Sequence, residues 1–152
     1  MREDVTAEEF MALVGSELGV SAWTTVDQAR IDGFAEVTGD HQFIHVDPEA
    51  ARASPLGTTV AHGFLSLSLV AAFSREVVPG IRGTRMSFNY GTNRLRFLAP
   101  VRSGSRVRGR FKLKAVEAQD HGRYLANLEV QVEIEGGERP ALALEWLILV
   151  MT

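Results

Sequence analysis

Asp40, His41, His45, Asp47 and His62 crowd much of the chain's acid–base capacity into 23 positions, and three of the four histidines are among them. A carboxylate and an imidazole five residues apart, as Asp40 and His45 are, can hold one water and move its proton when a loop lets them converge. The same two side chains serve equally well as loop caps and surface groups. His41-x-x-x-His45 with Asp47 outlines a metal trio. That reading needs a helix to align the histidines, and the segment follows Gly39 and runs into Asp47-Pro48, so no metal is expected. The chain has no cysteine, which removes thiolate nucleophiles, disulfides and iron–sulfur clusters together. No Gly-x-Ser-x-Gly elbow, dinucleotide loop or phosphate loop is present. Spacing alone leaves catalysis and loop capping both open.

The elements that would position these groups are legible from capping and periodicity. Thr6-x-x-Glu9 is a capping box opening a short helix with Phe10, Leu13 and Val14 on one side, before Gly15. A short strand is expected over 20–26. Thr25-x-x-Gln28 can cap a second helix carrying Ile31, Phe34 and Ala35, with Gly39 as its C-terminal stop. Residues between Gly39 and Asp47 read as a polar loop, and Asp47-Pro48-Glu49 starts another short helix. The strongest helical run covers 61–77, with Leu65, Leu69, Ala72, Phe73 and Val77 along one stripe, before Pro79-Gly80. Four strands then follow, over about 84–97, 105–118, 124–135 and 141–151, with hairpin turns at Asp120-His121-Gly122 and Gly136-Gly137. Helices before a run of antiparallel strands predict one α+β domain over 1–152, its sheet covering the long helix.

Composition agrees with that class. A chain of 152 residues with 45% hydrophobic and 23% charged residues suits one soluble globular domain. The start of the chain carries Arg2, Asp4, Glu8 and Glu9, unlike a signal peptide. The longest apolar stretches, 60–73 and 141–151, are too short or too interrupted to span a bilayer, so a cytoplasmic protein is expected. The net charge of −3 is uneven, because Arg82 to Lys114 holds ten Lys or Arg and no acid. Within it Arg106, Arg108, Arg110, Lys112 and Lys114 alternate with Val107, Gly109, Phe111 and Leu113, the period of a strand with one apolar and one basic face. That face is either solvated or phosphate-binding. It has no interleaved aromatics, which argues against nucleic acid.

The segment Gly39-Asp-His-Gln-Phe-Ile-His-Val-Asp-Pro48, followed by Thr59-Val-Ala-His-Gly-Phe-Leu-Ser-Leu-Ser-Leu69, resembles the signature of the MaoC-like (R)-specific enoyl-CoA hydratases. The first motif is similar in particular to the nodulation-protein-N-like subgroup. Asn89-Tyr-Gly-Thr-Asn-Arg-Leu-Arg-Phe-Leu-Ala-Pro-Val101 and Gly104-Ser-Arg-Val107 resemble the strand and turn that follow the helix in that family. Gln42 and Phe43 stand where the broad family has Asn and Pro, whereas Asp40 and His45 match it.

The resemblance implies a hot-dog fold, a homodimer, and hydration of acyl-CoA thioesters with no cofactor beyond the CoA of the substrate itself. Asp40 is then the main base on water. His45 orients that water and shares in proton delivery, and the N–H of Gly63, in the first turn of the long helix, faces the developing enolate oxygen. Phe43, His62 and Phe64 are expected to line the substrate site, with Phe34 and Leu65 candidates for an acyl tunnel. Arg94 and Arg96, and Arg102 and Arg106 beside them, are expected near the CoA phosphates. A hot-dog thioesterase, or a non-catalytic module binding acyl thioesters, is the competing function. A water-activating pair favours the enzyme over the binding module, and the Ala-His-Gly motif favours a hydratase over a thioesterase. No nucleic-acid or membrane partner is expected.

Overall fold

A computed structural model describes residues 3–152. Helices α1 (Ala7–Ala12), α2 (Gln28–Thr38), α3 (Phe43–Val46) and α4 (Pro48–Ala53) come first, interrupted by the short strands β1 (Glu17–Val20) and β2 (Thr24–Val26). The long helix α5 (Gly63–Val77) leads into β3 (Met86–Phe97), β4 (Ser105–Gln119), β5 (Arg123–Ile134) and β6 (Leu142–Met151). These six strands pair antiparallel, in the order β1-β4-β5-β6-β3, with β2 also on β4. The sheet packs on α5 through β4, β1, β5 and β6, as expected of a sheet wrapped around one long helix. Among the described residues no helix is long and apolar enough to cross a membrane.

Local signals place most boundaries. The Thr6 hydroxyl accepts from the Glu9 N–H at 3.1 Å and the Glu9 carboxylate accepts from the Thr6 N–H at 2.7 Å, completing the capping box. Gly39 ends α2 at φ 77, and His121 (φ 63) with Gly122 (φ 67) supplies the two positive φ angles of a tight hairpin. Three expectations fail for tertiary reasons. The single strand over 20–26 is two strands: the Ser21 N–H still donates to the Gly109 carbonyl at 2.9 Å, but the Gly109 N–H is accepted by the Ser21 hydroxyl at 3.0 Å in place of a main-chain carbonyl. Asp27, not Thr25, caps α2, accepting from the Arg30 N–H at 2.9 Å. Ala72 faces outward, and the buried face of α5 is Leu65, Ser66, Val70 and Phe73.

The alternation in β4 is as read. Val107, Gly109, Phe111 and Leu113 are buried toward α5, and the basic side chains point away. That basic face meets acids from neighbouring strands: Glu133 accepts from Arg108 at 2.6 Å and from Arg110 at 2.7 Å, and Arg106 pairs with Glu135 at 2.8 Å. Arg108 also lies 4.3 Å from the Trp23 ring centroid. The block is thus a cross-strand ion ladder on the outer sheet face. At the other edge, β3 pairs only with β6 and leaves Met86, Phe88 and Tyr90 exposed.

Gly109 decides how closely α5 seats on the sheet. A Cβ there would lie 2.9 Å from the Phe73 Cβ and 2.6 Å from the Phe111 ring. Gly109→Ala is therefore expected to destabilise the fold by about 1–3 kcal/mol through overpacking. Urea unfolding should show a lower midpoint with an unchanged slope; a wild-type midpoint would contradict the close seating.

Candidate active site

The positions between Gly39 and Asp47 do not form the loop expected of them. The C-cap of α2 turns the chain at Gly39, Asp40 to Gln42 cross the gap, and α3 then carries His45 on its third residue. This short helix is tied down from two sides. The Val60 N–H donates to the Ile44 carbonyl at 3.0 Å, and the His45 Nδ1 donates to the Val60 carbonyl at 2.6 Å. A carbonyl only accepts, so the Nδ1 carries the proton and Nε2 of the neutral ring is left as a lone pair. Gln28 adds a third tie: its amide N–H donates to the His45 carbonyl at 2.7 Å and its oxygen accepts from the buried Thr59 hydroxyl at 2.5 Å. Gln28 is a site-building residue that sequence reasoning assigned only to a cap. Nothing in its spacing from Thr59 or His45 could have shown otherwise.

Asp40, His45 and His62 each bring a carboxylate oxygen or ring nitrogen into a cluster whose atoms lie within 4.8 Å of one another. Asp40 is exposed, whereas His45 is 7% and His62 2% exposed. The Asp40 carboxylate accepts a long bond, 3.4 Å, from the Gln42 N–H. His62 donates from Nε2 to the Asp40 backbone carbonyl at 2.9 Å, and its ring stacks on His45 with centroids 3.8 Å apart and planes inclined by 25°. Stacked imidazoles direct their in-plane lone pairs side by side rather than at one point, a poor arrangement for tetrahedral ligation. The other metal outline does not assemble. His41 turns to Glu36 at 2.9 Å, whose hydrogen bond raises its pKa, and Asp47 caps α4 by accepting from the Glu49 and Ala50 N–H groups.

Gly63 is the first residue of α5, next to His62. No side chain caps this helix, and the Gly63 N–H has no partner among the described residues. It therefore offers a backbone donor reinforced by the positive end of the helix. A Cβ at this position would lie 2.9 Å from ring carbons of Phe97, so glycine keeps the approach open. Beside it lies a cavity of about 240 Å³ lined by Ala61, Gly63, Ser66, Phe97, Leu98 and Pro100.

The remaining expected residues divide. Phe43 and Phe64 are exposed at 46% and 66%, and Phe64 meets Phe97 edge-on at 5.7 Å, forming an apolar rim. Leu65 belongs to the core, and Phe34 packs against the His62 ring at 5.0 Å. His62 is too buried to form a substrate-facing wall. Arg94 lies on the outer sheet face, 3.6 Å from Glu145 and lining a charged cavity with Glu17, Arg110 and Lys112. Arg96 is exposed one residue before Phe97 and donates only to the Leu95 carbonyl, at 2.8 Å.

Comparison with known proteins bears on family and fold. Residues 9–135 match the MaoC like domain family. The chain is 51% identical over 138 residues to nodulation protein N of Rhizobium leguminosarum bv. viciae, covering 90% of this chain and 86% of that protein. It is 41% identical over 148 residues to 3-hydroxyacyl-thioester dehydratase Z of Mycobacterium tuberculosis, covering 97% of each. Among solved structures, the (R)-hydratase from A. caviae involved in PHA biosynthesis superposes with a TM-score of 0.72 at 25% identity, covering 89% of this chain and 94% of that one.

Proposed function

The chain belongs to the MaoC-like family and is a hydro-lyase, and from that premise we propose that it adds water across trans-2-enoyl-CoA to give (R)-3-hydroxyacyl-CoA, or catalyses the reverse dehydration. The observation that carries this reading is the juxtaposition of the Asp40 carboxylate and a ring nitrogen of His45 within one small cluster. In this scheme a water held by the two groups attacks Cβ. The pair, Asp40 chiefly, takes one proton from that water. Electrons of the double bond move onto the thioester oxygen, which the Gly63 N–H receives; a donor of this kind contributes about 3–4 kcal/mol at a transition state. His45 shares in returning the same proton to Cα. Water and proton come from one face, so addition is syn. The reaction needs no cofactor beyond the carrier of the acyl group.

Exchanging either group tests the scheme. Asp40→Asn and His45→Gln should each lower turnover of enoyl-CoA by about 10²–10⁴-fold, followed as loss of enoyl absorbance. Thermal stability should separate them. Asp40 is exposed, so its variant should melt like wild type. His45→Gln loses the bond to Val60 and should melt lower. Wild-type turnover by Asp40→Asn would sink the mechanism.

A homodimer is part of the same reading, supported by the unpaired edge of β3 and its exposed Met86, Phe88 and Tyr90. Sedimentation at micromolar concentration should give about twice the 16.7 kDa chain mass, and Phe88→Glu should dissociate the pair. A single-chain species for the wild type would contradict it.

Of the arginines expected at the carrier, Arg94 faces Glu145 and Arg106 pairs with Glu135, which leaves the exposed Arg96 and Arg102, with Arg96 next to Phe97 of the apolar rim. Arg96→Ala should raise KM for enoyl-CoA several-fold with kcat unchanged, because a phosphate is bound equally in ground and transition states. An enoyl-pantetheine thioester, lacking the phosphates, should show no change. Equal KM for wild type and variant with enoyl-CoA would remove Arg96 from the site.

A further inference from the structure

We propose that His62 is a positioning residue that holds Asp40 and His45 in register through two separable contacts, one by hydrogen bond and one by ring stacking; this rests on the reading that those two groups do the chemistry. At 2% exposure His62 does not reach substrate. Its Nε2 lies 2.9 Å from the Asp40 carbonyl and must carry the hydrogen, so the neutral ring has its lone pair on Nδ1. That Nδ1 is buried without a hydrogen-bond partner among the described residues. An orphaned acceptor of this kind costs stability, and a residue needed only for packing would avoid it. His62 does not serve α5 either, since its side chain makes no capping bond although it occupies the N-cap position.

What histidine supplies here is the combination of a donor at Nε2 and a flat ring. The donor fixes the backbone of Asp40 across 22 residues of chain. The ring lies on His45 at 3.8 Å, with Phe34 of α2 packed against it at 5.0 Å. Because Gly63 follows directly, the same residue also sets where the first turn of α5 stands relative to the pair. The titratable groups that face it are the Asp40 carboxylate and the His45 imidazole, both within the 4.8 Å cluster. Second-layer residues that orient a reactive group in this way commonly carry about 10–100-fold of activity.

Three variants separate the contacts. His62→Ala removes both and should lower kcat by about 100-fold with KM within about two-fold. His62→Gln keeps a donor and His62→Phe keeps a ring, and each should recover about ten-fold of that loss. In the unmodified protein, ¹⁵N spectra should show His62 protonated at Nε2 and bare at Nδ1 near neutral pH, a readout that needs neither a variant nor activity. Wild-type kcat in His62→Ala overturns the proposal. So does a rise in KM alone, an equal loss in all three variants, or a proton on Nδ1. If Asp40→Asn is inactive while His62→Ala turns over normally, only the positioning role fails. If Asp40→Asn itself stays active, it is the catalytic reading that fails.

Discussion

The Val60 backbone holds the middle of the α3 helix through both its polar groups, its N–H donating to the Ile44 carbonyl at 3.0 Å and its carbonyl accepting from the His45 Nδ1 at 2.6 Å. This pair of bonds joins the segment that carries Asp40 and His45 to the segment that begins α5. Without it the acid–base groups and the Gly63 N–H would sit on two strings of chain with no fixed separation. It also selects the tautomer of His45, which decides that Nε2 meets the site as a lone pair. Val60 is itself held in place, because the following residue, Ala61, donates to the Val101 carbonyl at 2.7 Å and so ties the segment to the loop before β4. Sheet, loop and helix therefore converge on one short stretch.

On the outer face of the sheet, basic side chains meet acidic ones. Ten basic residues between Arg82 and Lys114 read as a candidate phosphate surface, yet the β4 members point outward and meet acids of β5 and β6. Burial pushes the Glu133 carboxyl up, and the guanidinium groups of Arg110 and Arg108 more than offset it, leaving its pKa below the usual carboxylate value. The sign follows directly. A lowered folded pKa stabilises the fold above the ordinary carboxylate range, and that contribution is lost as pH falls through the lowered value. The ladder is a property of the sheet's outer face, on the side away from α5. The inner face that seats α5 is almost wholly apolar, and Gly109 lets the helix descend onto it.

The apolar surface left uncovered is not scattered. Phe43, Phe64, Phe97 and Leu98 are exposed near the start of α5, and Met86, Phe88 and Tyr90 continue along the strand that ends at Phe97. Isolated exposed side chains need no explanation, but a run of large ones leading toward a cleft is the surface an acyl chain or a second subunit would cover. The His45–His62 stack is buried whereas Asp40 beside it is exposed, so the cluster opens to solvent through its carboxylate member.

Much of this was legible along the chain. The Thr6 capping box, the Gly39 stop, the Asp47-Pro48 start and the period of two in β4 all depend on neighbours within a few residues. Helical and strand periods and caps are short-range physics, and a sequence displays them. Only the tertiary structure decided the rest. It broke the expected strand at Ser21, whose hydroxyl is claimed by Gly109 at a separation of 88 residues. It turned Gln28 from a cap into the tie between Thr59 and His45, 31 and 17 residues away. Against expectation it buried His62 behind the site, and it gave Arg94 to Glu145. Each of these outcomes was settled by which polar group found a partner when distant segments closed together. A donor or acceptor that leaves water must take whatever partner the fold brings within reach, and no local pattern records which one that is.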